Sequence, residues 1–343
     1  SRAHGVSDDG RAVAGHSQIR GDSNDIDNSS QRASRWTDET GWVELDISPY
    51  LTNHGWSVVG ELHHTVGPDG FSGDGSTIVG AINPDRDFNE LVHAFIQADQ
   101  GPVHVLEHTV NLNGVDLPLR HMDALSASYD GSVVLGRGRI LATREEVGFR
   151  WTPDDGAIGF PMSFVGSSIS DDGLTIAGSV GSEIAVWTEE GIVHTEIQGR
   201  FWRPEISADG SVIVGQEGLT NGGEEAFLWS KETGRIGLGW LPDTRPDENS
   251  SSATGVNRDG SVVVGHSGPI DSDRDAFIWT EVGGMGYLQE ALAERYGLDQ
   301  ALEGWRLTTA NDLSSNAQFI AGWGTNPDGL EEGFLIRLDA PFE

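Results

Sequence analysis

The stretch Ser207-Ala208-Asp209-Gly210-Ser211-Val212-Ile213-Val214-Gly215 holds, in nine residues, a tight turn and the strand that follows it. The Asp-Gly pair marks a reversal, because glycine adopts positive φ freely and Asp tolerates it. The β-branched run behind it reads as a strand. The unit opens the chain at residues 7–15, and further copies end at Gly80, Gly136, Gly178, Gly265 and Gly322. The most degenerate copy runs Ser314-Ser315-Asn316-Ala317-Gln318-Phe319-Ile320-Ala321-Gly322. Seven copies are present in 343 residues.

After each unit comes a third segment of the type Ala226-Phe227-Leu228-Trp229-Ser230, a Gly-containing turn such as Lys231-Glu232-Thr233-Gly234, and a short apolar run such as Ile236-Gly237-Leu238. Each repeat therefore reads as a four-stranded meander. The terminal glycines lie 37 to 65 residues apart, a spacing that suits propeller blades and is too variable for a β-helix, whose coils must keep register. The expectation is an all-β, seven-bladed β-propeller of four-stranded antiparallel blades filling residues 1–343 as one domain. The blades fall at about 3–45, 56–106, 122–160, 165–197, 203–241, 252–288 and 305–338. Residues 286–297 place Leu288 and Leu292 on one face ahead of Gly297 and read as one short helix.

Trp36, Trp151, Trp187, Trp229 and Trp279 stand at the same place in five third strands. Repetition at one structural position argues for packing wedges between blades rather than a carbohydrate platform. Truncating one to Ala would cost about 3–5 kcal/mol.

The net charge is −33 with a pI near 4.4, and Lys231 is the only lysine. Such a surface repels nucleic-acid phosphates and anionic bilayers, so neither is expected as a partner. It tolerates salt well. With no cysteine there is neither a disulfide nor a thiolate metal site. No apolar run reaches the roughly 18 residues that span a bilayer, so direct membrane insertion is not expected. Ser1 starts inside a repeat without a signal peptide, which reads as a trimmed or processed product.

The Ser-Ala-Asp-Gly-Ser-Val-x-Val-Gly unit, the Ala-Phe-x-Trp strand and the stretch Leu238-Gly239-Trp240-Leu241-Pro242 leading to Ser252-Ala253-Thr254-Gly255-Val256 resemble the bacterial extracellular HAF-repeat proteins. So does the closing stretch from Leu288 through Gly304-Trp305-Arg306-Leu307-Thr308 to Gly322-Trp323-Gly324-Thr325-Asn326-Pro327. The resemblance implies a secreted or surface-displayed protein with no family-wide activity or catalytic residues. The chain departs from it in a longer segment at 46–70 and in lacking an anchoring segment after Glu343.

The search for chemistry centres on the connections of variable length, where a rigid scaffold usually carries binding. Their acidic runs, Asp271, Asp273 and Asp275 first and Asp22, Asp25 and Asp27 next, offer the hard oxygens that calcium takes, and Ca²⁺ is the only cofactor expected. None completes a twelve-residue calcium loop. His63-His64 and the set His93, His104, His108 and His121 invite a metal or general-base reading, but adjacent strand residues point to opposite faces, so His63 and His64 do not serve one site. Nothing resembles a nucleophile elbow, a phosphate loop or a zinc signature.

These readings lead to a non-enzymatic extracellular propeller acting as a binding or assembly module. The alternative is a secreted polysaccharide-degrading enzyme of the propeller lyase type, which needs a cleft where His, Tyr and Arg converge. Expected partners are other surface or matrix proteins, glycans, or further copies of the chain. Only 339–343 remain for a fourth strand in the last blade, so that blade is expected to be three-stranded, with its third strand an open edge for strand addition.

Overall fold

The computed structural model describes residues 2–20, 29–46, 63–83, 92–98, 101–161, 163–198, 203–219, 223–242, 249–269 and 274–342. The described residues are all-β with one helix, and their antiparallel meanders stand in a propeller-like arrangement. The first meander, β1 (Arg2–Val6), β2 (Ala12–Arg20), β3 (Ser29–Thr37) and β4 (Gly41–Glu44), forms a four-stranded sheet in chain order. A nine-stranded sheet follows. It contains β5 (His63–Phe71), β6 (Thr77–Asn83), β7 (His93–Ala98), β8 (His104–Val105), β9 (Thr109–Leu112), β10 (Val115–Ala127), β11 (Val134–Ile140), β12 (Glu146–Thr152) and β13 (Gly156–Gly159). One parallel pair, Ser126 with Asp69, joins its two meanders.

The strands β14 (Phe164–Ile169), β15 (Ile176–Val180), β16 (Glu183–Thr188) and β17 (Gly191–Gln198) again make four in order. An eight-stranded sheet comes next, with β18 (Glu205–Ile206), β19 (Val212–Gly218), β20 (Glu224–Ser230) and β21 (Gly234–Gly239) linked through one parallel pair, Glu224 with Ser250, to β22 (Asn249–Val256), β23 (Val262–Pro269), β24 (Asp275–Thr280) and β25 (Gly284–Tyr287). The last sheet has three strands, β26 (Arg306–Leu313), β27 (Phe319–Thr325) and β28 (Glu331–Arg337). Four-stranded meanders are thus the rule with two departures. Among the described residues the final sheet has three strands. The β9–β10 hairpin is an addition that the repeat does not contain.

The turn inside each Ser-x-Asp-Gly unit is built the same way. In the best copy the buried Ser207 hydroxyl donates to Asp209 Oδ1 at 2.8 Å and accepts the Val212 N–H at 3.0 Å, while Asp209 Oδ1 also accepts the Ser211 N–H. The same bonds recur around Ser7, Ser72, Ser128, Ser170 and Ser314. In the copy at Asn257, the side-chain amide takes the place of the hydroxyl and Oδ1 accepts the Val262 N–H. The turn needs positive φ at its fourth residue, and Gly210 sits at φ 74°. Ala317 is forced to φ 55° in the degenerate copy, the strain of an L-residue where six other copies have glycine.

Between meanders the packing is apolar and interleaved. Ala177, Ile184 and Ile197 pack with Ile206, Ile213 and Phe227 of the following meander. Val214, Leu228 and Leu241 pack in turn with Val263, Phe277 and Trp279. The chain ends meet in the same manner, Ala3, Val6, Val13 and Trp36 lying against Phe319, Ala321 and Leu335. The five tryptophans occupy equivalent register positions, opposite Val13, Val134, Ile176, Ile213 and Val263 of the neighbouring second strands. Trp279 is buried, the other four are half-buried, and each lies against an apolar cluster, as wedges should. The helix α1 (Leu288–Tyr296) buries Leu288 and Leu292 against Leu307, Ile336 and Phe342. It stops at Gly297, whose φ of 65° lets its N–H reach back to Ala293 O.

Replacing Ser207 with Ala leaves the buried Val212 N–H without its acceptor and takes one of three donors from Asp209 Oδ1, so S207A is expected to destabilise the chain by about 1–3 kcal/mol. Thermal unfolding followed by circular dichroism checks this; an unchanged midpoint would mean that the turn does not depend on the hydroxyl.

Candidate functional site

The turns do more than reverse the chain. Their second residue, the x of Ser-x-Asp-Gly, is the one position whose side chain the turn leaves uncommitted, and these residues stand together around the axis. Asp8 N–H donates to Gly73 O at 2.9 Å, Asp74 N–H to Tyr129 O at 3.0 Å, Tyr129 N–H to Asp171 O at 3.0 Å and Asp171 N–H to Ala208 O at 2.9 Å. Asp209 N–H then donates to Arg258 O at 3.1 Å and Arg258 N–H to Ser315 O at 2.9 Å. The last link is different in kind: Ser315 N–H donates to the Asp8 carboxylate at 2.7 Å, Ser315 Oγ to its other oxygen, and Asn316 Nδ2 to the Asp8 carbonyl.

Inside this ring runs a narrow axial channel of about 110 Å³. Asp8, Asp171, Glu205 and Asp312 bring carboxylates to its lining, alongside small or apolar groups such as Gly5, Ala127 and Ile169. Large and small side chains alternate at the mouth. Tyr129 lies over Gly73, where a Cβ would come within 2.6 Å of its ring, and Arg258 reaches past the small Ala208 to Asp171 Oδ2 at 3.1 Å. Burial and then the nearby Asp8 carboxylate push the Asp171 carboxyl up to about 6 in spite of Arg258. Burial, followed by Asp8, Asp74 and Asp171, likewise raises the Tyr129 hydroxyl. The turn aspartates behave oppositely, since hydrogen bonds from Ser132 and Ser261 hold Asp130 and Asp259 below the ordinary carboxylate range.

Of the residues singled out for calcium, Asp275 alone is among the described residues. Asp22, Asp25, Asp27, Asp271 and Asp273 lie outside the described residues. Asp275 opens β24 and is held by Arg306, whose Nε and Nη2 reach its two oxygens at 2.8 and 3.2 Å. Among the described residues, no group of three or more His, Asp or Glu is arranged to hold a metal ion. The site lies on the short Ser-x-Asp-Gly turns and not on the connections of variable length. The signal that would have found the mouth is the one variable position within the repeat: Asp8, Gly73, Tyr129, Asp171, Ala208, Arg258 and Ser315 share no property except their place.

No family model and no curated protein sequence matches the chain. Solved structures do. The chain is similar to the β-propeller domain of the Trilobed protease from Pyrococcus furiosus, described as having an open velcro topology, at 11% identity and TM-score 0.58, over 97% of this chain and 91% of that one. It is similar to a puromycin hydrolase (13%, TM-score 0.57, 98% and 52%) and to a prolyl endopeptidase studied for the role of inter-domain dynamics in catalysis and specificity (12%, TM-score 0.52, 96% and 50%). The chain spans about half the length of those two enzymes. At these identities the likeness establishes the propeller fold alone. The functional expectation is corrected to this extent: the neighbours named here are a protease propeller, a hydrolase and a prolyl endopeptidase, and none of them is a stand-alone binding or assembly module or a lyase.

A carboxyl raised in the folded state binds a proton that the unfolded chain has already lost, so ionising Asp171 costs folding free energy as pH rises from about 4 to about 6. The shift corresponds to about 2 kcal/mol once partial exposure is discounted. Asp171→Asn removes that cost and keeps an acceptor for Arg258, so the variant is expected to be more stable than the parent at pH 8 and equal to it near pH 4. Denaturant unfolding at both values checks this; equal stability at pH 8 would show that the carboxylate is not strained.

Proposed function

We propose that this chain is a seven-bladed propeller that serves a peptide-hydrolysing enzyme as its non-catalytic, substrate-admitting domain. Seven turns linked head to tail around one axis support the blade count, with an apolar cluster packed between each meander and the next. The similarity to the propeller of the Trilobed protease supports the assignment to such an enzyme. The resemblance of the repeat to the HAF-repeat proteins adds export from the cell to this reading.

The observation that carries the role is the channel mouth. A bore of about 110 Å³ excludes any folded protein and admits at most a single extended chain end. Carboxylates of Asp8 and Asp171 at the opening set the sign of what it attracts, since a narrow, low-dielectric opening concentrates the field of its own charges. A peptide α-ammonium group answers both the size and the charge. Arg258 neutralises part of the field at Asp171 and leaves Asp8, held by Ser315, facing the bore.

Fluorescence anisotropy with a short unstructured peptide, labelled at its C-terminus, tests this at pH 8. The free-amine peptide is expected to bind, its affinity falling with added salt and several-fold further in Asp171→Asn, while the N-acetylated peptide does not bind. Equal binding of the two peptides, or no binding of either, overturns the role.

A further inference from the structure

The turns that surround the channel mouth also form the inner end of a groove. Asp171, Ala208 and Arg258 hold the x position of three successive turns at the mouth. Thr175, Gly210, Ser211 and Asp259 of the same turns line a cavity of about 600 Å³ that runs outward between the β14–β17 and β18–β21 meanders. Glycine brings each of these turns against the next: a Cβ on Gly210 would stand 3.0 Å from Thr175 Oγ1, and one on Gly260 2.6 Å from Val212 Cγ2. Mouth and groove are therefore neighbours built on the same three turns.

The walls of the groove are apolar and its rim is charged. Trp229 of β20 is half-buried: it packs with Val186, Ile213 and Phe227, and the rest of its indole lines the cavity, as Val193 of β17 does from the other meander. Glu190, Lys231, Glu232 and Asp259 are exposed at the rim, three carboxylates to one ammonium, which leaves it negative. Two other grooves between meanders each lack half of this combination. The one bounded by Asp9, Arg11, Asp38 and Asp74 reaches the turns but has charged walls. The one that holds Trp151 with Ile96, Val105 and Leu106 is apolar but includes no residue of a Ser-x-Asp-Gly turn.

We propose that this groove receives the residues that follow the amino terminus of a bound peptide, and that Trp229 selects an apolar or aromatic side chain among them. The proposal rests on the reading of the mouth as an amino-terminal site. A chain whose α-ammonium lies at Asp171 has the turn from Asp171 to Thr175 beneath it, and that turn leads into the groove. An indole beside branched aliphatic walls suits a large side chain, because an offset or edge-on aromatic contact adds to the area removed from water. The volume falls in the roughly 300–1,000 Å³ range that covers most of the surface of a small ligand. The negative rim repels an acidic residue at the same point, so charge enters the choice as well as size.

Anisotropy at pH 8 compares short free-amine Gly/Ser peptides, labelled at the C-terminus, whose second, third or fourth residue is Ser, Phe or Asp. Phe at one of these positions is expected to tighten binding by the full chain about five- to tenfold over Ser, and Asp there to weaken it. Trp229→Ala is expected to erase the gain. Because that variant also loses packing between meanders, Ser211→Trp gives a second reading: Ser211 is an exposed residue of the groove, and an indole there fills the cavity without removing a wall. In a Ser211→Trp chain whose circular dichroism matches the parent's, Phe and Ser peptides are expected to bind alike. Equal binding of Phe and Ser peptides by the parent, or a preference for Phe that survives in Ser211→Trp, overturns the groove and leaves the mouth as read. Failure of every peptide to bind overturns the reading of the mouth, and the groove with it.

Discussion

A buried serine hydroxyl bridging an aspartate and a backbone N–H is the interaction on which the rest of this molecule depends. Ser7, Ser72, Ser128, Ser170 and Ser207 are all but inaccessible to solvent, and each accepts the N–H five residues on while donating to the aspartate two residues on. A hydroxyl in that place with no partner would cost the full desolvation of a polar group. The turn is therefore over-determined, and it presents its peptide groups to the next turn at a constant angle. Repeated around the axis, that constancy lets each turn donate to its neighbour's carbonyl, and the ring is the outcome.

The same interaction divides the aspartates of an unusually acidic chain into two populations. Asp9, Asp130 and Asp209 spend their charge on the turn, where serine hydroxyls and N–H groups stabilise the anion. Asp8 and Asp171 precede turn aspartates and line the axial channel, and their carboxylates are held by other turns, Asp8 by Ser315 and Asp171 by Arg258. Residues of identical chemistry thus end with opposite behaviour, the turn aspartates Asp130 and Asp259 held low and the channel-lining Asp171 pushed up to about 6. Composition reports only the sum.

Much of the fold was legible because the repeat states it in local terms: the Asp-Gly reversal, the β-branched strand, the Trp at a constant offset and Gly297 ending the helix all act within a few residues. What escaped was set by relations between repeats. The β9–β10 hairpin turns on Asn113-Gly114, both at positive φ, a hairpin signal that lay in a stretch read as a connection. The channel mouth escaped because its residues, from Tyr129 to Ser315, have nothing in common along the chain and meet only when the turns close on one another. Asp275 looked like a calcium ligand in its acidic run, and its pairing with Arg306 of the following meander is a contact no local pattern carries.

Closure of the ring and chemistry of its mouth come down to one residue. Six of the seven links between turns join peptide groups, which lets almost any residue occupy the x position. The seventh is made by side chains instead, and β28 pairs with β27 alone, so the first and last meanders meet through side chains. Arg337 bonds Gly10 O and Asp38, Phe319 sits where a Cβ on Gly10 would collide with its ring, and Asn311 reaches Ala3 O. Asp8 completes this junction by accepting from Ser315, and doing so holds its carboxylate at the channel, where it is the first charge to raise Asp171. A neutral residue at position 8 would leave both the last link unmade and the mouth half discharged. The acidic character of the opening is thus a consequence of how the ring is shut, and the one x position that is not free to vary is the one that does both.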